Sequence, residues 1–458
     1  MKNIYSSKLL HFLIGLFLFA LAWSVEINNI EIKALGMVAL MVYWWITEPI
    51  PIYMTALVPL ILGQPLHLIS KLELAEAYGN NMIFLFFGGF VLALAIEKRN
   101  LHRVFANYII HTFGQTPTRL LLSFMLTTAF LSMWISNTAT ALMMLPMGLA
   151  VLSEIPRSVG KKKYEAALML GIAFSANIGG TATLVGTPPN IQMAAILNQD
   201  LGIHINFFEW LWRGFPFMII LLFISFLLLK IIFLKKVAFK ISTRKAESLN
   251  ANQKRVLLIF CLTAFLWITG SYLNSYLPFE INDTITALFG ALLCFIIPTS
   301  EKKDRLLVWD DTKKLPWGIL FLFGGGIALA TILSNGNVIE ELVVLLKTLN
   351  FMPLFVLLFV IFLFVIFTTE LMSNLALVSL VVPIMVQFAV NVEISPIALS
   401  AGIALCSSCA FMLPIATPPN AIVYSSKRLK VKTMIQIGWI LNLITSFLVT
   451  TLVYWWIQ

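Results

Sequence analysis

Charge is what this sequence has least of. Asp, Glu, Lys and Arg make up 11% of its 458 residues, against about a quarter in a soluble globular chain. That shortage, beside 60% hydrophobic residues, excludes a soluble enzyme and a disordered chain and requires lipid around the protein. Cysteine is nearly absent. The four present, Cys261, Cys294, Cys406 and Cys409, all lie in apolar runs, which excludes a secreted disulfide scaffold. Cys406 and Cys409 form a C-x-x-C, read as two small hydrophobes on a buried helix rather than a redox pair. Histidine is scarce too, and His11, His67, His102, His111 and His204 fall near segment ends or loops. No His-Asp-Ser, His-Glu-x-x-His or Cys-His constellation lies at a common membrane depth, so the chain does not read as an enzyme.

What is present is a series of apolar segments divided by charged clusters. A membrane-spanning helix needs about 20 apolar residues, and eleven candidates emerge: 9–23, 32–47, 50–63, 80–96, 166–199, 210–234, 256–275, 284–298, 316–334, 395–424 and 435–457. The first carries Lys2 and Lys8 ahead of it and Ala20-Leu21-Ala22 near its end. It is read as a spanning helix with a basic cytoplasmic flank, the alternative being a cleaved signal peptide. With the N-terminus inside, only Lys33, Lys71, Arg213 and Lys347 fall outside, leaving 27 of the 31 basic residues on the cytoplasmic side. The net charge of +10 is therefore an orientation signal rather than a nucleic-acid footprint, and it sets the C-terminus outside. The pairs Trp44-Trp45 and Trp455-Trp456 read as interfacial anchors.

That parity holds only if two further apolar stretches return to the side they left. Residues 120–153 are uncharged between inside flanks, and 348–392 carry one charge, Glu370, between outside flanks; each reads as a re-entrant hairpin. An internal repeat agrees. Phe86-Phe87-Gly88-Gly89-Phe90 recurs as Leu322-Phe323-Gly324-Gly325-Gly326, Ser136-Asn137 as Ser373-Asn374, and Gly186-Thr187-Pro188-Pro189-Asn190 as Ala416-Thr417-Pro418-Pro419-Asn420, at offsets of 236, 237 and 230 residues. The hairpins open to opposite faces, so the halves are inverted, a pattern of secondary transporters whose site lies where broken segments meet. The prediction is an all-α polytopic membrane protein, an inverted-repeat transporter with about 11 transmembrane helices and two re-entrant helical hairpins. Its parts are an N-terminal helix 1–23, a first repeat 24–234 with hairpin 117–155, a basic cytoplasmic linker 235–255, and a second repeat 256–458 with hairpin 350–392.

The breaks carry the chemistry. Ser136-Asn137-Thr138 and Ser373-Asn374 sit mid-hairpin, where free backbone groups need protein, water or ligand as partners. Helix starts there offer N–H donors to anions, helix ends offer carbonyls to cations, and Ser, Asn and Thr supply both kinds of group. Two prolines in each T-P-P-N break a helix, which turns Thr187 and Thr417 toward a central cavity; the alternatives are plain turn residues and a packing kink. No Lys or Arg falls at the midplane, so an anion would be held by dipoles, amides, hydroxyls and co-bound cations. Glu370 is either a proton or cation site or a carboxylate that braces its hairpin by accepting backbone N–H groups.

Trp45-Ile46-Thr47-Glu48-Pro49-Ile50-Pro51, the run Trp134 to Thr140, and the paired T-P-P-N breaks together resemble the divalent anion:sodium symporter family of sodium-coupled dicarboxylate, citrate and sulfate transporters, along essentially the whole chain. The resemblance implies a homodimer, with a scaffold of segments 1 to 4 and 7 to 9. It also implies a mobile domain of hairpins and broken helices that moves as an elevator. By motif it implies one sodium site at Ser132, Ser136, Asn137 and Gly186 and a second at Thr369, Met372, Asn374 and Ala416. The substrate would be met by Asn137, Thr138, Ser373, Asn374, Thr417 and Pro418, with Thr187 and Pro188 facing it. One departure is Leu375, where the family pattern has threonine; a missing donor costs about 1 to 3 kcal/mol for a substrate that needs it. Leu375→Thr is therefore expected to change substrate preference.

The expected function is sodium-coupled import of a C4 dicarboxylate such as succinate, malate or fumarate across a plasma (inner) membrane, with sodium as the co-transported ion and no organic cofactor. A sodium-independent dicarboxylate or 2-oxoacid exchanger is the first alternative, and a sodium symporter for citrate or sulfate another. A channel or intramembrane enzyme would be a different class.

Overall fold

The computed structural model describes residues 2–25, 30–113, 116–155, 160–235, 237–239, 248–276, 278, 280–301, 304–347 and 352–458. Arg157, Lys302, Lys303, linker positions 236 and 240–247, and residues 350 and 351 at the start of the second hairpin lie outside them.

The first half runs through α1 (Lys2–Val25), α2 (Ile30–Thr47), α3 (Ile52–Thr55), α4 (Lys71–Tyr78), α5 (Asn81–Lys98), α6 (Leu101–Phe113), α7 (Pro117–Ser132), α8 (Asn137–Glu154), α9 (Lys161–Gly180), α10 (Pro188–Leu201) and α11 (Phe207–Phe233). The second follows with α12 (Ala251–Leu273), α13 (Asp283–Ile296), α14 (Trp317–Asn335), α15 (Val338–Lys347), α16 (Leu354–Thr368), α17 (Asn374–Asn391), α18 (Pro396–Ser408), α19 (Pro418–Ser425) and α20 (Val431–Ile457). Among the described residues there is no strand, only an isolated bridge between Pro298 and Arg305. The protein is a multi-pass, all-α membrane protein. Six runs are long and apolar enough to cross a bilayer among the described residues: 71–98, α11, 251–270, α14, α17 and α20.

Two helix–turn–helix hairpins fall where the sequence places them. Their arms are 16 and 18 residues (α7, α8) and 15 and 18 residues (α16, α17), and the turns carry Ser136 and Ser373 directly ahead of α8 and α17. Segments 166–199 and 395–424, each read from sequence as one span, are two helices apiece, α9/α10 and α18/α19.

Packing gathers the hairpins and broken helices into one body. α9 is buried along almost its whole length and is wrapped by α7, α8, α11 and α19; α18 is equally buried among α16, α17, α10 and α20. A second body holds α5 against α13, and α14 against α2, α4 and α3. The repeated glycines serve that packing: a Cβ on Gly88 would stand 2.7 Å from Ala287, and one on Gly325 2.3 Å from the Ala56 carbonyl. The bodies meet where α10 and α17 lie on α14. Trp44 and Trp45 are not interfacial anchors. They are 5% and 1% exposed, Trp44 stacked on Phe12 and Trp45 donating to the Ile52 carbonyl, because α1 and α3 cover that face of α2. Trp455, 72% exposed, does face outward.

Candidate functional site

The two breaks are built alike. Pro188-Pro189 and Pro418-Pro419 occupy the first turn of α10 and α19, where a missing N–H costs nothing. Proline drives the residue ahead of it into extended backbone, so Thr187 has φ −144° and ψ 142°, and Thr417 φ −141° and ψ 151°. Breaking a helix in apolar surroundings frees carbonyls that need donors, and the last letter of each T-P-P-N provides them. Asn190 Nδ2 donates to the carbonyls of Gly180 at 3.2 Å and Thr183 at 2.8 Å. Asn420 Nδ2 donates to those of Ala410 at 3.1 Å and Leu413 at 3.0 Å.

The hairpin tips repeat as closely. Ser132 Oγ lies 2.7 Å from both Asn137 Oδ1 and the Ala176 carbonyl, and its single proton is shared between them. Thr369 Oγ1 shares its proton in the same way between Asn374 Oδ1 at 2.8 Å and the Ser407 carbonyl at 2.7 Å. In each repeat the last residues of one hairpin arm thus tie the tip asparagine, five positions on, to the end of the helix that then breaks. Gly180 fits this geometry: a Cβ there would lie 2.4 Å from Asn137 Oδ1, and Gly186 in turn stands over the Gly180 carbonyl. Ser132, Asn137, Gly180 and Gly186 therefore fall together. Ser136 caps α8, its Oγ accepting the Ala139 N–H. Met372 is buried and Ala416 N–H bonds to the Leu413 carbonyl, without a hydrogen bond from either to Thr369 or Asn374 among the described residues.

Asn177 hydrogen-bonds one half-site to the other. Asn177 on α9 donates to the Ala410 carbonyl at 3.0 Å and to Thr417 Oγ1 at 3.1 Å, which links the first tip to the second break. Four helix starts, those of α8, α10, α17 and α19, belong to this network and carry positive dipole ends suited to anions. Asn137, Thr138, Pro188, Ser373 and Asn374 are half-buried and Pro418 is exposed, while Thr187 and Thr417 are 2% and 4% exposed. With Oδ1 turned to the hydroxyls, the Nδ2 groups of Asn137 and Asn374 have no protein acceptor among the described residues and are free for a ligand. The oxygens gathered here are hydroxyl, amide and backbone carbonyl, hard donors suited to hard cations rather than to soft metals. Leu375 is buried, 4% exposed, so the second tip presents Ser373 and Asn374 alone; the corresponding Thr138 is half-exposed.

Glu370 proves to be a brace. Its carboxylate accepts the N–H groups of Phe411 (2.7 Å), Met412 (2.8 Å) and Leu413 (3.0 Å) and the Nδ2 of Asn442 (2.9 Å). These are the residues of the second break, whose donors the hairpin thereby satisfies. The first repeat has a smaller tie in the same place, Thr183 Oγ1 donating to the Met133 carbonyl at 2.5 Å. Sequence reasoning missed Asn177, Asn190, Asn420 and Asn442. The two T-P-P-N asparagines were visible as part of a repeated motif; Asn177 and Asn442 have no repeated counterpart to mark them.

Residues 2–458 match the family described as the sodium:sulfate symporter transmembrane region. A sodium-dependent dicarboxylate transporter of Staphylococcus saprophyticus, SdcS, is 37% identical over 484 residues, covering 99% of this chain and 92% of its own length. The SdcS of Staphylococcus aureus is 37% identical over 437 residues, covering 90% and 83%. Among solved structures, the Alcanivorax borkumensis YdaH transporter is similar in fold, with a TM-score of 0.54 at 14% identity over 83% of this chain and 85% of that one.

Proposed function

Because this chain belongs to the sodium:sulfate symporter transmembrane family, we propose that it is a sodium-coupled symporter of C4 dicarboxylates such as succinate, malate or fumarate. It is a transporter and not an enzyme, and the relatives named sodium-dependent dicarboxylate transporters support the ion and the substrate class. The observation that carries the reading is the duplicated tip, in which each asparagine turns Oδ1 to a hydroxyl and leaves Nδ2 without a protein acceptor among the described residues.

A cation among Ser132, Ser136, Asn137 and Gly186, and another among Thr369, Met372, Asn374 and Ala416, would draw the two Oδ1 atoms inward. The Nδ2 groups would then point at the substrate carboxylates, beside Thr138, Thr187, Pro188, Ser373, Thr417 and Pro418. Loading sodium thus completes the anion site. It also supplies the positive charge that no Lys or Arg provides there, without which a dianion out of bulk water is costly. Translocation is an elevator movement of the body α7–α11 with α16–α20 against the scaffold α1–α6 with α12–α15. The protein works as a homodimer in the plasma (inner) membrane, N-terminus cytoplasmic and C-terminus outside.

The test is thermal unfolding of the purified protein with succinate titrated in sodium or in potassium. A ligand that binds only the native state raises the midpoint as its concentration passes Kd. Succinate is expected to stabilise in sodium only, and Asn137→Ala or Asn374→Ala to remove that response while the dimer stays folded. Stabilisation of equal size in potassium would contradict the coupling.

A further inference from the structure

Asn177 belongs to the first repeat, yet both of its donor contacts are made to the second, at the Ala410 carbonyl and Thr417 Oγ1. It is fully buried, and its Oδ1 has no partner. Thr417 Oγ1 also receives the Asn420 N–H at 3.5 Å. With N–H donors on its oxygen, the hydroxyl cannot direct its own proton toward Asn177, and among the described residues no protein acceptor takes that proton. A hydroxyl held in this way is left as a donor. It stands at the start of α19, where the helix end favours negative charge. Among the described residues the other break has no equivalent. Thr187 caps α10 with nearly the same backbone angles and makes no side-chain cap bond. The Ser407 carbonyl takes the place of that of Ala176, so the counterpart of Asn177 is Ser408, which spends its hydroxyl on the Ala404 carbonyl in its own helix.

We propose that Asn177 is a positioning residue for anion recognition: it fixes the Thr417 hydroxyl as a donor to a substrate carboxylate and couples that donor to the first cation site. The coupling runs through one peptide unit, since Ser132 Oγ bonds to the carbonyl of Ala176, the residue before Asn177. A cation that draws in Ser132 and Asn137 steadies this stretch of α9 and the amide that holds Thr417. The inference rests on the symport reading and assigns unequal roles to the two break threonines.

The experiment uses the full chain in proteoliposomes, with labelled succinate and an inward sodium gradient, comparing wild type, Asn177→Ala, Asn177→Asp, Thr417→Val and the double variant Asn177→Ala/Thr417→Val. Losing one donor to a charged ligand is expected to raise KM roughly tenfold, with the maximal rate changed less than about twofold. The double variant should be no worse than Thr417→Val alone, because one contact acts through the other. Asn177→Asp keeps the shape but accepts the Thr417 proton. Its KM should exceed that of Asn177→Ala at neutral pH and approach wild type as acid restores a donor, each pH being referenced to wild type. This arm serves alone if the alanine variant does not fold, because a purely structural role gives no such pH profile. Unchanged KM in both Asn177 variants, or effects that multiply in the double variant, overturns the assignment while leaving symport intact. Absence of sodium-driven uptake in wild type overturns the transport reading, and this proposal with it.

Discussion

Glu370 shows how a single residue's meaning depends on its partners. A carboxylate deep in apolar sequence is a functional candidate, but four donors converge on this one, and a carboxylate satisfied in that way holds a backbone in shape. Glu370→Gln would set an amide NH2 against N–H donors on at least one side. The cost is about 1 to 3 kcal/mol, and we expect a lower thermal midpoint and weaker uptake, with the coupling ion unchanged; a switch from sodium to proton dependence in the variant would show that Glu370 is itself a coupling site. At this scale the sequence was legible where chemistry and repetition coincide. Ser136-Asn137 and Ser373-Asn374 stand out because the same polar pair occurs mid-hairpin twice, and both asparagines do bond to the ends of the preceding arms. Asn177 does not stand out, since its partners Ala410 and Thr417 are more than 230 positions away. Trp44 and Trp45 misled because tryptophan at a segment end has the same spelling whether lipid headgroups or α1 cover it.

Among the elements, the breaks depend on residues too small to be noticed. Gly180 ends α9 beneath the first tip, and Gly180→Ala would drive a methyl into Asn137 Oδ1. The expected outcome is folded protein with uptake reduced at least about tenfold, the effect of displacing one essential contact; wild-type uptake in that variant would mean that the Asn137 amide need not dock there. The loop ahead of α14 is pinned to the end of α5. Arg99 Nη2 donates to the carbonyls of Arg305 and Leu306 at 2.8 and 2.9 Å, and Lys98 pairs with Asp311 at 2.5 Å. Burial pushes the Asp311 carboxyl up, but the Lys98 hydrogen bond, the Val308 N–H and the charges of Lys98 and Lys314 outweigh it and hold the group below its usual range. A carboxyl lowered by folding stabilises the native state above its unfolded pKa of about 3.9, and that contribution disappears as pH falls through the folded value. Asp311→Asn should therefore melt below wild type at pH 7, with the gap closing in acid; a gap that stays constant with pH would place the effect elsewhere. Helix content and the positions of the breaks were readable because proline and charge punctuate them. The splitting of 166–199 into α9 and α10 was readable from Pro188 and Pro189, whereas the arm that Asn190 folds back over the freed carbonyls required the structure.

For the whole molecule, the repeated offsets of 236, 237 and 230 residues correspond to repeated geometry: Ser132 with Asn137 and Thr369 with Asn374, Asn190 with Gly180 and Asn420 with Ala410. Each repeat alone has one tip and one break. Cross-packing of α8 with α19 and of α10 with α17 brings the two halves into one network, which is why no single motif could have located the site. The departures from symmetry come from both halves: Glu370 and the buried Leu375 lie in the second repeat, and Asn177 reaches it from the first. In the proposed symport, sodium completes an anion site that the chain leaves without a basic side chain. Labelled succinate uptake into proteoliposomes, with an inward sodium gradient or potassium in its place, and with or without dicarboxylate inside, decides it. Accumulation driven by sodium into empty vesicles is expected. Uptake that needs internal dicarboxylate and is indifferent to sodium would contradict symport.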